Sequence, residues 1–316
     1  MIPAMHFAIL GSGAVGGYYG ARLARYGHRV TFFARGAHLR AIRERGLLIW
    51  SPLGDFVARG EATDDPSAVG PVDVVVVAVK GYDNATAFAA LPALVGPGTL
   101  VVTLQNGVES ADEIAGHVDR DRVIGGPTYI ATALRAPGLI VQTGTHRRIV
   151  LGELFHPPTT VSERVRQLVD VLSAADIQAE AVADARVPLW QKLMFLAPLA
   201  GLCAAMRRPT GAVWNDAFAR EVCLAGTKEV EAVALAEGVP LPVHAVDEVV
   251  RYLDALPPVM TPSLLIDLTA GKRLEVEALQ GAVVRRGRRH GVPTPVLDTL
   301  YTTLKPHAGG RAPSGA

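Results

Sequence analysis

Cysteine and lysine are both scarce in this 316-residue chain, and so is any surplus of charge. The two cysteines, Cys203 and Cys223, lie in apolar, helix-like sequence with no CxxC or Cys/His pattern, which argues against a disulfide framework or a metal centre. They read as small core hydrophobes of a reduced compartment. Lysine is confined to Lys80, Lys192, Lys228, Lys272 and Lys305, so the placement of each one carries information. With 31 basic against 30 acidic side chains, no net field attracts nucleic acid or an anionic membrane, and a small-molecule partner is expected. No apolar run reaches the ~20 residues of a membrane span. The longest, Leu193–Met206, contains Pro198. A strand-like run begins almost at Met1, leaving no room for a signal peptide, and a cytoplasmic protein is expected.

What the chain does have, near its start, is a strand, a glycine turn, a helix and a second strand. His6–Leu10 is apolar and extended in pattern. Gly11, Ser12, Gly13, Ala14, Val15 and Gly16 follow with GxGxxG spacing, a helix begins near Ala14, and Arg29–Ala34 is the second strand. Glycines so spaced permit a tight turn, close approach of the backbone to a pyrophosphate and close packing of helix on strand. The helix N-terminus then offers free N–H groups and its positive dipole end to phosphate. GxGxxG alone is a weak signal; following a strand, opening a helix and leading to a second strand within ~30 residues, it becomes a dinucleotide-binding fingerprint. One residue is missing from it. No Asp or Glu ends the second strand to accept a hydrogen bond from a ribose 2′-hydroxyl, and Ala34-Arg35 stands there instead. A guanidinium accepts no hydrogen bond but grips a 2′-phosphate, so NADP (NADPH) is the expected cofactor, held by Gly11–Gly16 and Arg35. The alternatives are a flavin or S-adenosylmethionine on a similar turn, and an Arg35 that merely solvates a strand end.

Further along, Gly36–Arg45 reads as a helix, and 46–50 with 55–58 as a hairpin turned at 51–54. Val72–Val79 and Thr99–Leu104 are largely apolar, β-branched runs without alternation, the mark of strands covered on both faces, with a helix over Ala85–Leu94 between them. Short β-rich pieces over 122–152 suggest a meander closing the sheet. Ser162 is expected to cap an amphipathic helix ending at Ala174, and Ile177–Val182 ends the first domain. After Asp184 the period becomes helical, with helices predicted over 186–206, 215–237, 244–256, 262–270, 273–290 and 294–303. The expected architecture is α/β: an N-terminal Rossmann domain over 1–182, a C-terminal all-helical domain over 183–305, and a disordered tail over 306–316, rich in Gly, Pro and Ala.

In an open α/β sheet, ligands bind beyond the carboxyl ends of the strands near the topological switch point. That rule selects Lys80 and Asn106. They either open toward the nicotinamide end of the cofactor or, respectively, solvate a strand end and shape a turn. In the helical half, Lys192 heads the apolar segment Trp190–Leu196. Apolar helices do not bury an ammonium without a use or a partner, and loss of hydration would ease proton release, as a general acid requires. A lysine snorkelling at a helix boundary is the alternative. Glu275 and Glu277, read as alternate positions of a helix, cannot both face a site. Ser263, near a helix start, fits capping.

With these residues in view, the chain resembles the ketopantoate reductase (2-dehydropantoate 2-reductase) family over nearly its full length. The resemblance rests on Gly11–Gly16, Ala34–His38, Val79–Asp83, Gln105–Glu109, Trp190–Leu193, and Ser263 through Glu275 into Gly291–Pro295. It implies reduction of 2-dehydropantoate to pantoate by NADPH. It further implies Lys192 as general acid and carbonyl polariser, and Glu275 as the partner of the substrate's hydroxyl end that helps position Lys192. Ser263 would meet the substrate carboxylate, Arg35 the 2′-phosphate, and Lys80 and Asn106 the nicotinamide and substrate side. Glu277 is structural in this reading.

One departure bears on the substrate. The family pattern places asparagines one and two turns after the lysine and another after a downstream proline, where this chain has Leu196, Ala200 and Thr210. Each hydrogen-bonding partner left unsatisfied should cost about 1–3 kcal/mol. Three functions follow: a ketopantoate reductase, a same-scaffold reductase of a less hydroxylated 2-oxo acid or other carbonyl, and a non-catalytic NADP-binding sensor. Retention of both Lys192 and Glu275 argues against the sensor. A monomer and a homodimer both fit the Ala-rich helices.

Overall fold

The structure, a computed structural model, describes residues 3–311. The chain divides into two units, Met1–Gln105 with Ser110–Ala185, and Asn106–Glu109 with Arg186–Ala316. The first carries an 11-stranded sheet. Its strands are β1 (His6–Leu10), β2 (Arg29–Phe33), β3 (Leu47–Trp50), β4 (Phe56–Ala58), β5 (Glu61–Thr63), β6 (Val74–Val77), β7 (Leu100–Thr103), β8 (Val123–Gly125), β9 (Thr128–Ala136), β10 (Leu139–Glu153) and β11 (Gln178–Asp184). Its helices are α1 (Ala14–Arg25), α2 (Gly36–Arg45), α3 (Asn84–Phe88), α4 (Leu91–Leu94), α5 (Ser110–Ile114) and α6 (Glu163–Ala174).

The strands β8-β7-β6-β1-β2-β5 are mutually parallel neighbours. Taken in chain order within that set they read 6-5-4-1-2-3, the strand order of a doubly wound dinucleotide-binding sheet. The chain winds outward from β1 through β2 to β5, then returns to lay β6 on the other side of β1, so the carboxyl ends of β1 and β6 form the switch point. Residues 7–10 of β1 and 74–77 of β6 are all buried, which is what their unbroken apolar runs require. The region 122–152 closes the sheet differently from a meander of short strands. A single 15-residue strand, β10, pairs antiparallel with β8 and β9 and parallel with β3 and β11.

Three departures from expectation have identifiable causes. The helix expected over 85–94 is two short helices, α3 and α4, with Pro92 in the first turn of the second. Ser162 occupies the N-cap position of α6, yet its hydroxyl donates to Glu153 Oε1 at 2.6 Å and makes no cap bond. The first unit runs past residue 182, because β11 continues to Asp184 and the Ala185 amide bonds the Glu153 carbonyl at 2.9 Å.

The second unit contains α7 (Arg186–Met206), α8 (Thr210–Trp214), α9 (Ala217–Ala236), α10 (Ala245–Asp254), α11 (Ser263–Thr269), α12 (Ala282–His290) and α13 (Pro295–Leu304), with no strand among the described residues. Helix α7 packs against α9, α13 and α11. It is apolar and long enough to cross a membrane, yet 67% of its apolar window is buried within the protein, so its apolar circumference is that of a core helix. Cys203 on α7 and Cys223 on α9 are free and buried, and burial pushes both thiols up to about 12.

The helix predicted over 273–290 breaks in two places. Residues 272–275 are non-helical, Glu277–Gly281 is a π-helix, and α12 follows. The C-terminal segment causes the first break: Leu274 N–H donates to Ala308 O, and Arg311 N–H to Gly271 O, each at 2.9 Å. Those bonds also correct the expected disorder over 306–311, where Lys305–His307 is a 3-10 turn. Residues 312–316 of that expectation lie outside the described residues.

Candidate active site

In the first unit, the three motif glycines are distinguished by what surrounds them. Gly11, at the end of β1, has φ +95°, and a Cβ built there would lie 2.7 Å from the Val79 amide nitrogen, just beyond β6. Only glycine fits this crossing at the switch point. A Cβ at Gly16 would fall 2.4 Å from Gly11 O and 3.0 Å from Ile9 Cγ2, so its absence lets α1 lie close on β1. A Cβ at Gly13 would meet nothing within 4 Å. That open space sits at the N-cap of α1, where no side chain caps the first-turn N–H groups of Ala14, Val15 and Gly16. The cradle therefore fits a dinucleotide pyrophosphate. Ser12 contributes its backbone only: the side chain is buried and its hydroxyl donates to Ile9 O at 3.3 Å.

Arg35 is exposed at the N-cap of α2, one residue beyond Ala34, and makes no ion pair among the described residues. Lys80 lies half-buried ahead of the 3-10 turn Gly81–Asp83 that follows β6. Two further residues shape this half, and their roles could not be read from sequence. His38 accepts the Gly138 amide at Nδ1 (2.9 Å), so its hydrogen is on Nε2, which donates to Ser12 O at 2.7 Å. It thereby ties the phosphate-side turn to the start of β10. Buried Gln105 donates through Nε2 to Val79 O (2.9 Å) and Asn84 Oδ1 (2.7 Å), fixing the turn that carries Lys80. Both residues stand inside recognisable motifs, but their partners are distant in sequence.

In the second unit, Lys192 is the one charged residue of α7 after Arg186. Its Nζ donates to Asn106 Oδ1 at 2.9 Å. The neighbouring Gly107 has φ +90°, and a Cβ there would lie 2.4 Å from Ala278 O in the π-helix, a close approach that again only glycine allows. Glu275, three residues before Ala278, is 8% exposed. Glu277 is exposed and bonded to Arg285 and Tyr301. One glutamate is thus inside and one outside, though not as opposite faces of one helix: Glu275 belongs to the turn before the π-helix, a distortion often found at functional sites. The structure accordingly brings together Lys192, Asn106 and the segment bearing Glu275. Ser263 is the first residue of α11 and exposed, with Pro262 rather than Ser263 at the N-cap, so capping does not account for it. Of the three departures, Leu196 is half-buried one turn after Lys192, and Ala200 is buried. Thr210 spends its hydroxyl on Pro257 O at 3.0 Å.

Comparison with known proteins places the chain in a family. Residues 7–155 match the family model described as "Ketopantoate reductase PanE/ApbA", and residues 184–308 match that of its C-terminal region. This chain belongs to the ketopantoate reductase family. A 2-dehydropantoate 2-reductase of Nostoc is 31% identical over 95% of this chain and 94% of its own. A solved 2-dehydropantoate 2-reductase of Geobacter metallireducens is 31% identical, with TM-score 0.88, over 95% of this chain and 99% of its own. D-mandelate dehydrogenase, solved with NADH and anilino(oxo)acetate, is 23% identical with TM-score 0.87 over 96% of this chain and 98% of its own, and shares the fold. As a member of the ketopantoate reductase family the chain is an NADP-dependent oxidoreductase.

Proposed function

We propose that this member of the family reduces 2-dehydropantoate to pantoate, with Lys192 as the proton donor. The observation that carries the reading is the 2.9 Å bond from Lys192 Nζ to Asn106 Oδ1, which holds the charged end of an otherwise apolar helix in one place. Bound NADPH supplies the hydride that reduces C2. The chain supplies the rest: the Gly11–Gly16 turn and the α1 N-terminus hold the pyrophosphate, and Arg35 holds the 2′-phosphate. An ammonium fixed by Asn106 hydrogen-bonds the substrate carbonyl oxygen, stabilises the negative charge that develops there, and gives up its proton to complete the hydroxyl. The Glu275 carboxylate accepts from the substrate's hydroxyl end and helps position Lys192, and the Ser263 hydroxyl donates to the substrate carboxylate. The test is NADPH oxidation with 2-dehydropantoate by wild type and Lys192→Ala. Loss of a positioned acid should lower kcat by roughly 10²–10⁴-fold. Undiminished turnover by Lys192→Ala would remove Lys192 from the role, and absence of wild-type turnover would remove 2-dehydropantoate.

A second reading, a less hydroxylated 2-oxo acid, is favoured by the apolar wall: Leu196 and Ala200 offer no polar group, and the Thr210 hydroxyl is committed to Pro257. Leu196→Asn separates the two, since Leu196 is half-buried and can be exchanged without overpacking, unlike Ala200. A gain of about tenfold or more on 2-dehydropantoate favours the second reading; no change counts against it.

A further inference from the structure

We infer that Glu109 and Arg285 form a positioning pair that holds Asn106, and through it Lys192, in register with Glu275. The inference rests on the reading of Lys192 given above. Asn106–Glu109 is a four-residue segment that belongs to the helical unit. At one end Asn106 receives the Lys192 ammonium. At the other, Glu109 Oε2 accepts from Arg285 Nη2 at 2.6 Å and Oε1 from Arg285 Nε at 3.5 Å. The same guanidinium donates through Nη1 to Glu277 Oε2 and through Nη2 to Glu277 O, each at 2.7 Å. Glu277 opens the π-helix two residues after Glu275. One planar group therefore joins the segment bearing Asn106 to the turn bearing Glu275, a task suited to the multiple fixed donors of arginine.

Gly107 also approaches Ala278 O closely, and this contact by itself resists compression but not withdrawal. Arg286 stands behind the pair, its Nε 3.8 Å from Glu109 Oε1 while its Nη1 holds Glu237 at 2.5 Å. Glu109 and Arg285 side chains are 22% and 41% exposed, so solvent screens the pair and its worth to overall stability is small. Its effect should appear in the placement of Asn106, because a displacement of about 1 Å at a catalytic group can cost as much as ~10²-fold in rate.

The test measures kcat, KM for the 2-oxo acid, NADPH Kd and Tm for Glu109→Gln, Arg285→Met and the double variant. Each single variant should lose about tenfold in kcat, with NADPH Kd within about twofold of wild type and the double variant no worse than Arg285→Met, since that single variant already removes the bonds to Glu109 along with those to Glu277. A kcat within twofold of wild type in both singles, or losses that multiply in the double variant, overturns the inference. So does a fall in Tm with kcat at 25 °C preserved, the signature of a merely structural ion pair. Lys192→Ala is assayed alongside. Retained turnover there removes the reading of the site itself, whereas an inactive Lys192→Ala beside an unimpaired Glu109→Gln removes only the positioning pair.

Discussion

Alanine at Gly13 and alanine at Gly16 should have opposite effects on stability, and the contrast tests where the pyrophosphate lies. Gly13 has φ −72° and ψ −156°, an extended backbone with negative φ, and its added Cβ meets nothing within 4 Å. Free protein should therefore be unharmed or stabilised by about 0.4–1 kcal/mol, through the reduced freedom of the unfolded chain. With NADPH bound, the same methyl occupies the space through which the pyrophosphate reaches the α1 N-terminus. Losing one charge-assisted hydrogen bond there costs about 1.5–3 kcal/mol, or roughly 10- to 100-fold in Kd. At Gly16 the methyl falls 2.4 Å from Gly11 O and 2.8 Å from Ala78 Cβ, so backbone must move, at a typical overpacking cost of about 1–3 kcal/mol. Urea unfolding without ligand and calorimetric titration with NADPH measure the two quantities separately. The expected pattern is Gly13→Ala stable but weak in binding, and Gly16→Ala weakened in both. Gly13→Ala binding NADPH within about twofold of wild type would falsify the placement of the pyrophosphate over Gly13.

Three other expectations follow from single side chains. Arg35→Ser should weaken NADPH by roughly 10- to 100-fold and leave NADH unaltered, since a charge-assisted bond to the 2′-phosphate is worth about 1.5–3 kcal/mol; equal losses for the two cofactors would place Arg35 elsewhere. His38→Leu removes the two bonds that join Ser12 O to the Gly138 amide, and should raise the NADPH Kd several-fold with little change in kcat, checked by titration and steady-state kinetics. Burial holds both His28 and His6 below the ordinary 6.5, with Arg29 adding to the effect at His6. His28 Nδ1 accepts the Met5 amide at 3.2 Å, a bond that needs the unprotonated nitrogen. The unfolded chain therefore takes up protons first: the stabilisation is complete above 6.5 and is lost as pH falls below it through the folded values. Urea midpoints should drop between about pH 7.5 and about pH 5.5, and drop less in His28→Gln; equal slopes would show that His28 is not a source of the loss.

The elements readable from sequence are those whose physics is local. The β1–turn–α1–β2 unit follows from glycine spacing and apolar runs within the stretch His6–Phe33, and the buried strands β6 and β7 from β-branched residues with no polar alternation. The position of Arg35 just after β2 needed no tertiary information, because it is set by chain order alone. Distant contacts decided the rest. Whether residues 272–281 form one helix depends on Ala308 and Arg311, which bond back to that turn and leave Glu275 ahead of a π-helix. Ser162 has the sequence of a cap, but Glu153 captured its hydroxyl. Asn106 follows a strand in the chain, yet the segment it opens is bound to the helical unit through Gly107, Ala278 and Arg285. Periodicity records what a residue does with its neighbours along the chain. Which acceptor a lysine finds 86 residues away is determined only when the chain is packed.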